Sequence, residues 1–352
     1  MRTVGRVLRG VATALAIGWA GLAVWLDGPR SWVAAGLAAV GAASLGLAVA
    51  RARLRATFFW LAWLAVLGWW LAIPPRNDRA WQPDVARTST ADIRGDRLVV
   101  HDLGDFEWRS ETDFTPRWEE RAFDLSGIRG VDLFLSYWGP RLISHTIVSW
   151  EFADGRHLAI SIETRKERDE EYSAIRGFFR QYELYYVVAD EHDLVGLRGV
   201  RGERVFLYRL RADPVTAGHV LRSYVDAANR LARRPAWYNA LTRNCTTTIR
   251  LHVLDAGRPA TWDWRVLANG RLDELLYERG AIDRTRPFPA LRAASDVTVR
   301  AADPRAFSAE IREGLPPRPP PGADRPGAVG LSPSRCRGSR GSRGSCRRSA
   351  RR

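Results

Sequence analysis

Ser144-His145-Thr-Ile-Val-Ser-Trp-Glu-Phe152, then Asp154-Gly155, then His157-Leu-Ala-Ile-Ser-Ile-Glu-Thr164 is the stretch that decides the fold. Both runs are rich in β-branched residues, and Asp-Gly between two such runs signals a hairpin. Side chains alternate along a strand, so the parity of the turn decides which residues meet. An odd loop places positions 145, 147, 161 and 163 on one face, with Glu163 or Ser161 beside the His145 imidazole. An even loop brings Thr164 opposite instead.

Outward from the hairpin, Arg97 to His101, Phe106 to Arg109 and Val131 to Trp138 read as earlier strands. Tyr185 to Ala189 and Val205 to Leu210 read as later ones. A helix is expected over Arg168 to Phe179. A second follows the Asp213-Pro214 cap, with Val220, Tyr224, Ala228 and Leu231 on one face and Pro235 past its end. The predicted class is α+β, an antiparallel sheet packed on helices. Residues 76–95 read as a linker, 96–260 as the main domain and 261–315 as its looser extension. Residues 316–352 are low-complexity and expected to be disordered.

Tyr238-Asn-Ala-Leu-Thr-Arg-Asn244-Cys245-Thr-Thr-Thr-Ile-Arg250 holds the only cysteine outside that tail. Asn244 suits an N-cap, and a helix from Cys245 to about Leu254, released by Gly257 and Pro259, puts the thiol in the first turn. Unpaired N–H groups and the helix dipole favour thiolate there. The plainer alternative is a small buried apolar residue. In the tail, Cys336 and Cys346 are free to pair in an oxidising compartment, leaving Cys245 alone.

A thiol nucleophile needs a base, and there are six histidines. His252 lies seven residues beyond Cys245, so helical rise alone separates them by roughly 10 Å. His219 reads as structural. His145 stands in an apolar strand, where a polar ring needs a reason to be; it is either the base or a core histidine bonded to a carbonyl. Glu163 or Ser161 would then fix the tautomer and stabilise imidazolium. Arg165 is a candidate for an anionic head group, against a solvated strand end.

His101-Asp102 with Asp105, and Glu191-His192-Asp193, lack helical zinc spacing and read as solvated turns, so no metal is expected. Glycines 196, 199 and 202 read as a connector rather than a phosphate loop, and no cofactor is expected.

The net charge of +15 and pI near 10.7 suggest nucleic acid, but ten Arg against one Asp between Arg318 and Arg352 supply +9 of it. Lys166 is the only lysine, a bias that a GC-rich genome also produces, so nucleic-acid binding is discounted. Three apolar stretches, about 11–26, 32–50 and 56–73, read as membrane spans within residues 1–75. Arg2, Arg6 and Arg9 precede the first, and Arg51, Arg53 and Arg55 precede the third. The positive-inside rule puts both groups in the cytoplasm and everything after Pro75 outside.

A hairpin histidine followed much later by an Asn-Cys-Thr helix start is similar to the circularly permuted, papain-like thiol enzymes of the NlpC type, which include lecithin retinol acyltransferase. More closely, about Gly95 to Leu254 resembles the Lnb N-terminal periplasmic domain family. The matching pieces are Val131-Asp-Leu-Phe, Ile143-Ser-His145-Thr, Asp154-Gly155, Ser161-Ile-Glu163-Thr-Arg165, Gln181-Tyr-Glu183-Leu-Tyr-Tyr and Asn244-Cys245-Thr. The resemblance implies thiol-based acyl chemistry, with Cys245 as nucleophile and His145 as base. The family's namesake moves an acyl chain within bacterial lipoproteins. Here the spans precede the domain and a basic tail follows it, so the substrate does not carry over.

The expectation is a multi-pass protein of the bacterial inner membrane with a periplasmic acyltransferase or hydrolase, its partners the bilayer and a lipid or lipoprotein. The rivals are a cell-wall peptidase or amidase with the same dyad, and a non-catalytic envelope protein.

Overall fold

The computed structural model describes residues 2–29, 52–298 and 304–320. The expected span at 32–50 and the tail beyond Pro320, with Cys336 and Cys346, lie outside the described residues. The strands are β1 (Thr90–Arg94), β2 (Arg97–Gly104), β3 (Glu107–Trp108), β4 (Phe114–Thr115), β5 (Trp118–Asp124), β6 (Ile128–Tyr137), β7 (His145–Phe152), β8 (His157–Arg165), β9 (Glu183–Ala189) and β10 (Arg204–Arg209). Eight of them form one sheet in the order β1-β2-β9-β8-β7-β6-β10, with β5 also on β2; β3 and β4 pair separately.

The central hairpin turns through three residues. Phe152 N–H bonds the Arg156 carbonyl at 3.0 Å, and Gly155 takes φ +82°, which a residue with a Cβ resists. This odd loop pairs Ile147 with Ser161, so 145, 147, 161 and 163 do share a face.

Each face of the sheet is covered differently. On one, a helix over Pro214–Arg233, started by the Asp213 side chain on Thr216 N–H, lays Leu221, Tyr224 and Ala228 against Val148, Trp150 and Ile160. The Trp150 indole meets its need for an acceptor at the Ala217 carbonyl, 2.9 Å away. A second helix, Cys245–Asp255, belongs to the same core. On the other face, Phe134, Ile147 and Ala159 lie under the short turns Glu191–Leu194, Gly196–Val200 and Phe307–Glu310.

Three expectations change. Residues 168–179 form turns with one 3-10 turn at Arg176–Phe178, not a helix. The hydroxyl of Tyr182, the residue before β9, accepts from Ser173 N–H and donates to the Glu171 carbonyl, replacing helical partners. The supposed linker 76–95 is packed: Trp81 and Val85 are buried with Tyr185, and β1 lies within it. Finally, among the described residues one helix, Thr3–Asp27, is long and apolar enough to span a membrane, not three. The apolar helix Ala56–Ala72 is shorter, and it packs beside the first through Trp63 Nε1 to the Ala16 carbonyl and Trp70 Nε1 to Asp27.

Candidate functional site

A cavity of about 680 Å³ opens where β7 begins, and both His145 and Cys245 line it. His145 is the first residue of β7. Its Nε2 lies 2.6 Å from Ser161 Oγ and 3.2 Å from Glu163 Oε1, and Ser161 Oγ in turn lies 2.9 Å from Glu163. An ionised carboxylate only accepts, so Ser161 donates to Glu163 and receives from His145 Nε2–H. This network assigns the Nε2–H tautomer and leaves Nδ1 as the basic nitrogen. Arg198 completes the chain with a 2.7 Å bond to Glu163. Burial opposes the charge on Glu163, but Arg198 and His145 together hold its carboxyl well below the usual range.

Cys245 opens its helix, as expected. Asn244 Oδ1 accepts from Thr247 N–H at 2.8 Å, and Thr247 Oγ1 accepts from Asn244 N–H at 2.9 Å, a capping box closed by threonine. The thiol is buried, however, and burial pushes its pKa up against the hydrogen bonds from Thr246 and Thr146. The expected drift toward thiolate is therefore reversed: desolvation outweighs the helix end. Among the described residues no hydrogen bond joins Cys245 to His145, although both line the cavity.

Sequence reading missed two residues. Asn269 Nδ2 lies 3.4 Å from Cys245 Sγ, 2.9 Å from Thr246 Oγ1 and 2.7 Å from the Ser144 carbonyl, while its Oδ1 accepts from Ser144 N–H. One amide thus ties the Cys245 helix to the residue before His145. Gly270 permits this, because a Cβ there would stand 2.4 Å from the Arg141 carbonyl. Asn269-Gly270 reads locally as a turn, which gave no hint of the site. Arg198 was hidden in the glycine connector, which is a short helix.

Arg165 belongs elsewhere. It is buried, bonds the Val85 and Ala86 carbonyls and Asn77, stacks between Trp81 and Tyr185, and lines a different pocket. Its guanidinium clamps the 76–89 segment instead of facing a ligand.

His252 is also structural, bonded to Tyr186 and Ser223, and burial pushes its pKa down to about 4. Glu191 and Asp193 are buried, not solvated. Tertiary folding gathers Asp105, Asp190 and His192, and separately Asp132, Glu151 and His157, at metal-ligand spacing. Arg121 sits on the first cluster and Arg318 on the second, supplying the countercharge that a cation would.

The geometry defines a mixed α+β domain with a thiol and an oriented imidazole on one cavity. Residues 114–270 match the family model described as Lnb N-terminal periplasmic domain, a little under half of the chain and the family its motifs resembled. The match runs through both Cys245 and Asn269. No curated protein and no solved structure gives a significant match. With the apolar helix Thr3–Asp27, the domain fits an extracytoplasmic, membrane-associated protein.

Proposed function

We propose that this protein is a membrane-anchored thiol acyltransferase or hydrolase, multi-pass in the bacterial inner membrane, with a permuted NlpC-type domain in the periplasm. Cys245 attacks an envelope ester or amide carbonyl, and His145 Nδ1 takes the thiol proton and returns it to the leaving group. The observation that carries this is the shared cavity, with the imidazole held at Nε2 by Ser161 and Glu163 and its other nitrogen left for chemistry. The Thr247 N–H is taken by the Asn244 cap, so the oxyanion would be held by the backbone N–H groups of Cys245 and Thr246 at the helix start. No hydrogen bond joins Cys245 to His145 here, so the proton transfer needs the pair to align when substrate enters, as is common for sites seen without substrate. A lipid or lipoprotein substrate suits a domain tethered beside the bilayer by an apolar helix.

The raised thiol pKa favours one other reading, a non-catalytic envelope domain in which Cys245 is core. Incubation of the full chain with an aryl fatty ester, followed by mass spectrometry of the Cys245 peptide, separates the two. The proposal expects one acyl thioester, formed on the order of 10²–10⁴-fold more slowly in His145→Ala. Acylation indifferent to His145, or absent, refutes it.

A further inference from the structure

The wall of the cavity beside Cys245 is built from two loops, residues 172–178 and 238–243, joined by Ala240 N–H to the Gly177 carbonyl at 2.8 Å. Their outer side chains are apolar yet exposed: Tyr172 (51 %), Ile175 (61 %), Phe178 (41 %) and Leu241 (51 %). Neither 172–181 nor 236–245 contains an acidic residue, while Arg176, Arg180 and Arg243 lie among them. Large apolar side chains in water are unfavourable, and clustered around a cavity mouth they mark a surface with a partner.

The partner is indicated by where the loops begin. Arg180 donates to the Ile73 carbonyl at 2.7 Å, Gln181 to the Leu26 carbonyl at 2.9 Å and to Asp27 at 2.7 Å, and Trp237 to the Ile73 carbonyl at 3.1 Å. These are the ends of the long apolar helix Thr3–Asp27 and of the shorter one packed beside it, where a chain crossing a bilayer would leave the hydrocarbon. Phe178 lies two residues from Arg180, within about 7 Å along the chain, so the loops cannot stand far from the bilayer surface. Aromatic and aliphatic tips flanked by arginine are also what the lipid–water boundary accepts.

We propose that Tyr172, Ile175, Phe178 and Leu241 form a rim inserted into the outer leaflet, so that the Cys245 cavity opens at the phospholipid interface. This reading needs no catalytic step and stands whether or not Cys245 is a nucleophile. The partner is the bilayer itself, because the rim is continuous with the helix ends and carries positive charge suited to anionic head groups.

The test uses the full chain in nanodiscs of phosphatidylcholine and phosphatidylglycerol, with Cys245→Ala, Cys336→Ser and Cys346→Ser. A single cysteine at Ile175, Phe178, Leu241 or Asp154 carries an NBD label, and lipids with nitroxide acyl chains quench it. Asp154 is the control, an exposed turn at the opposite end of β8 from Arg165 and roughly 35 Å from it. Quenching at the three rim positions several-fold above Asp154 is expected, and Ile175→Asp with Leu241→Asp should reduce it at 178. Rim quenching equal to that at Asp154 overturns the proposal. So does crosslinking between copies through unquenched rim positions, which would make a second chain the partner.

Discussion

At the open end of the β7–β8 pair a histidine, a glutamate and an arginine meet, namely His145, Glu163 and Arg198. At the turn end, on the same face, the same three types meet again in His157, Glu151 and Arg318. The turn end is the more crowded with charge, although both His157 ring nitrogens are buried without a hydrogen-bond partner. Asp132 and Glu191 add two more carboxylates, and Arg312 bridges both at 2.8 and 2.7 Å, so the segment 307–318 is strapped onto the sheet by buried charge. At the open end Arg198 is shared between Glu163 at 2.7 Å and Glu203 at 3.9 Å, and the His145 ring lines a cavity. Residue types alone do not make a base. A ring fixed at one nitrogen with space at the other does.

The largest effect should come from breaking the crowded turn end. Arg312→Ala leaves Asp132 and Glu191 buried with less compensation, and should cost about 3–5 kcal/mol in denaturant unfolding of the full chain. A loss below about 1 kcal/mol would mean that the strap is not held by charge, and the contrast would collapse.

At the open end the expectation is inverted. Glu163→Gln removes the charged acceptor behind Ser161 and His145, worth about 1.5–3 kcal/mol in the reacting state, so Cys245 acylation should slow roughly 10–100-fold. Stability should fall by less than in Arg312→Ala, because the buried Arg198 loses its nearest carboxylate but keeps Glu203 at 3.9 Å. An equal loss in both variants would show that the two ends serve the same purpose.

The smallest effect sharpens the comparison through pH. Glu191 is held down to about 2 by Arg312 and His157 despite burial, and Glu163 is also depressed. A depressed carboxyl contributes stability that is full above its unfolded pKa of about 4.5 and is lost as pH falls through the folded value. Stability should therefore hold down to about pH 4.5 and decline toward pH 2. Arg312→Ala should move the decline upward in acid unfolding, whereas Glu163→Gln should leave its onset near the wild-type value.

Much of this was legible locally. Asp154-Gly155 gave the hairpin, Asn244 the start of the Cys245 helix and Asp213 the start of the long one, because turns and caps are settled within a few residues. The 168–179 segment misled because its helical pattern is overridden by the hydroxyl of Tyr182, just before β9. Arg165 misled for a similar reason: alternation puts it on a strand, but Trp81 and Tyr185 bury it.

Read alone, the sequence located most of the strands, though not β1, β4 or β5, together with the Cys245 helix and its N-cap and the apolar first helix, since these depend on neighbours in the chain. It left open the parity that joins His145 to Glu163. Only the tertiary structure decided that, together with the arrival of Arg198 from 35 residues away and Asn269 from 24, and the balance at the thiol. Burial and long-range pairing depend on what packs against a residue, and no local pattern carries that information.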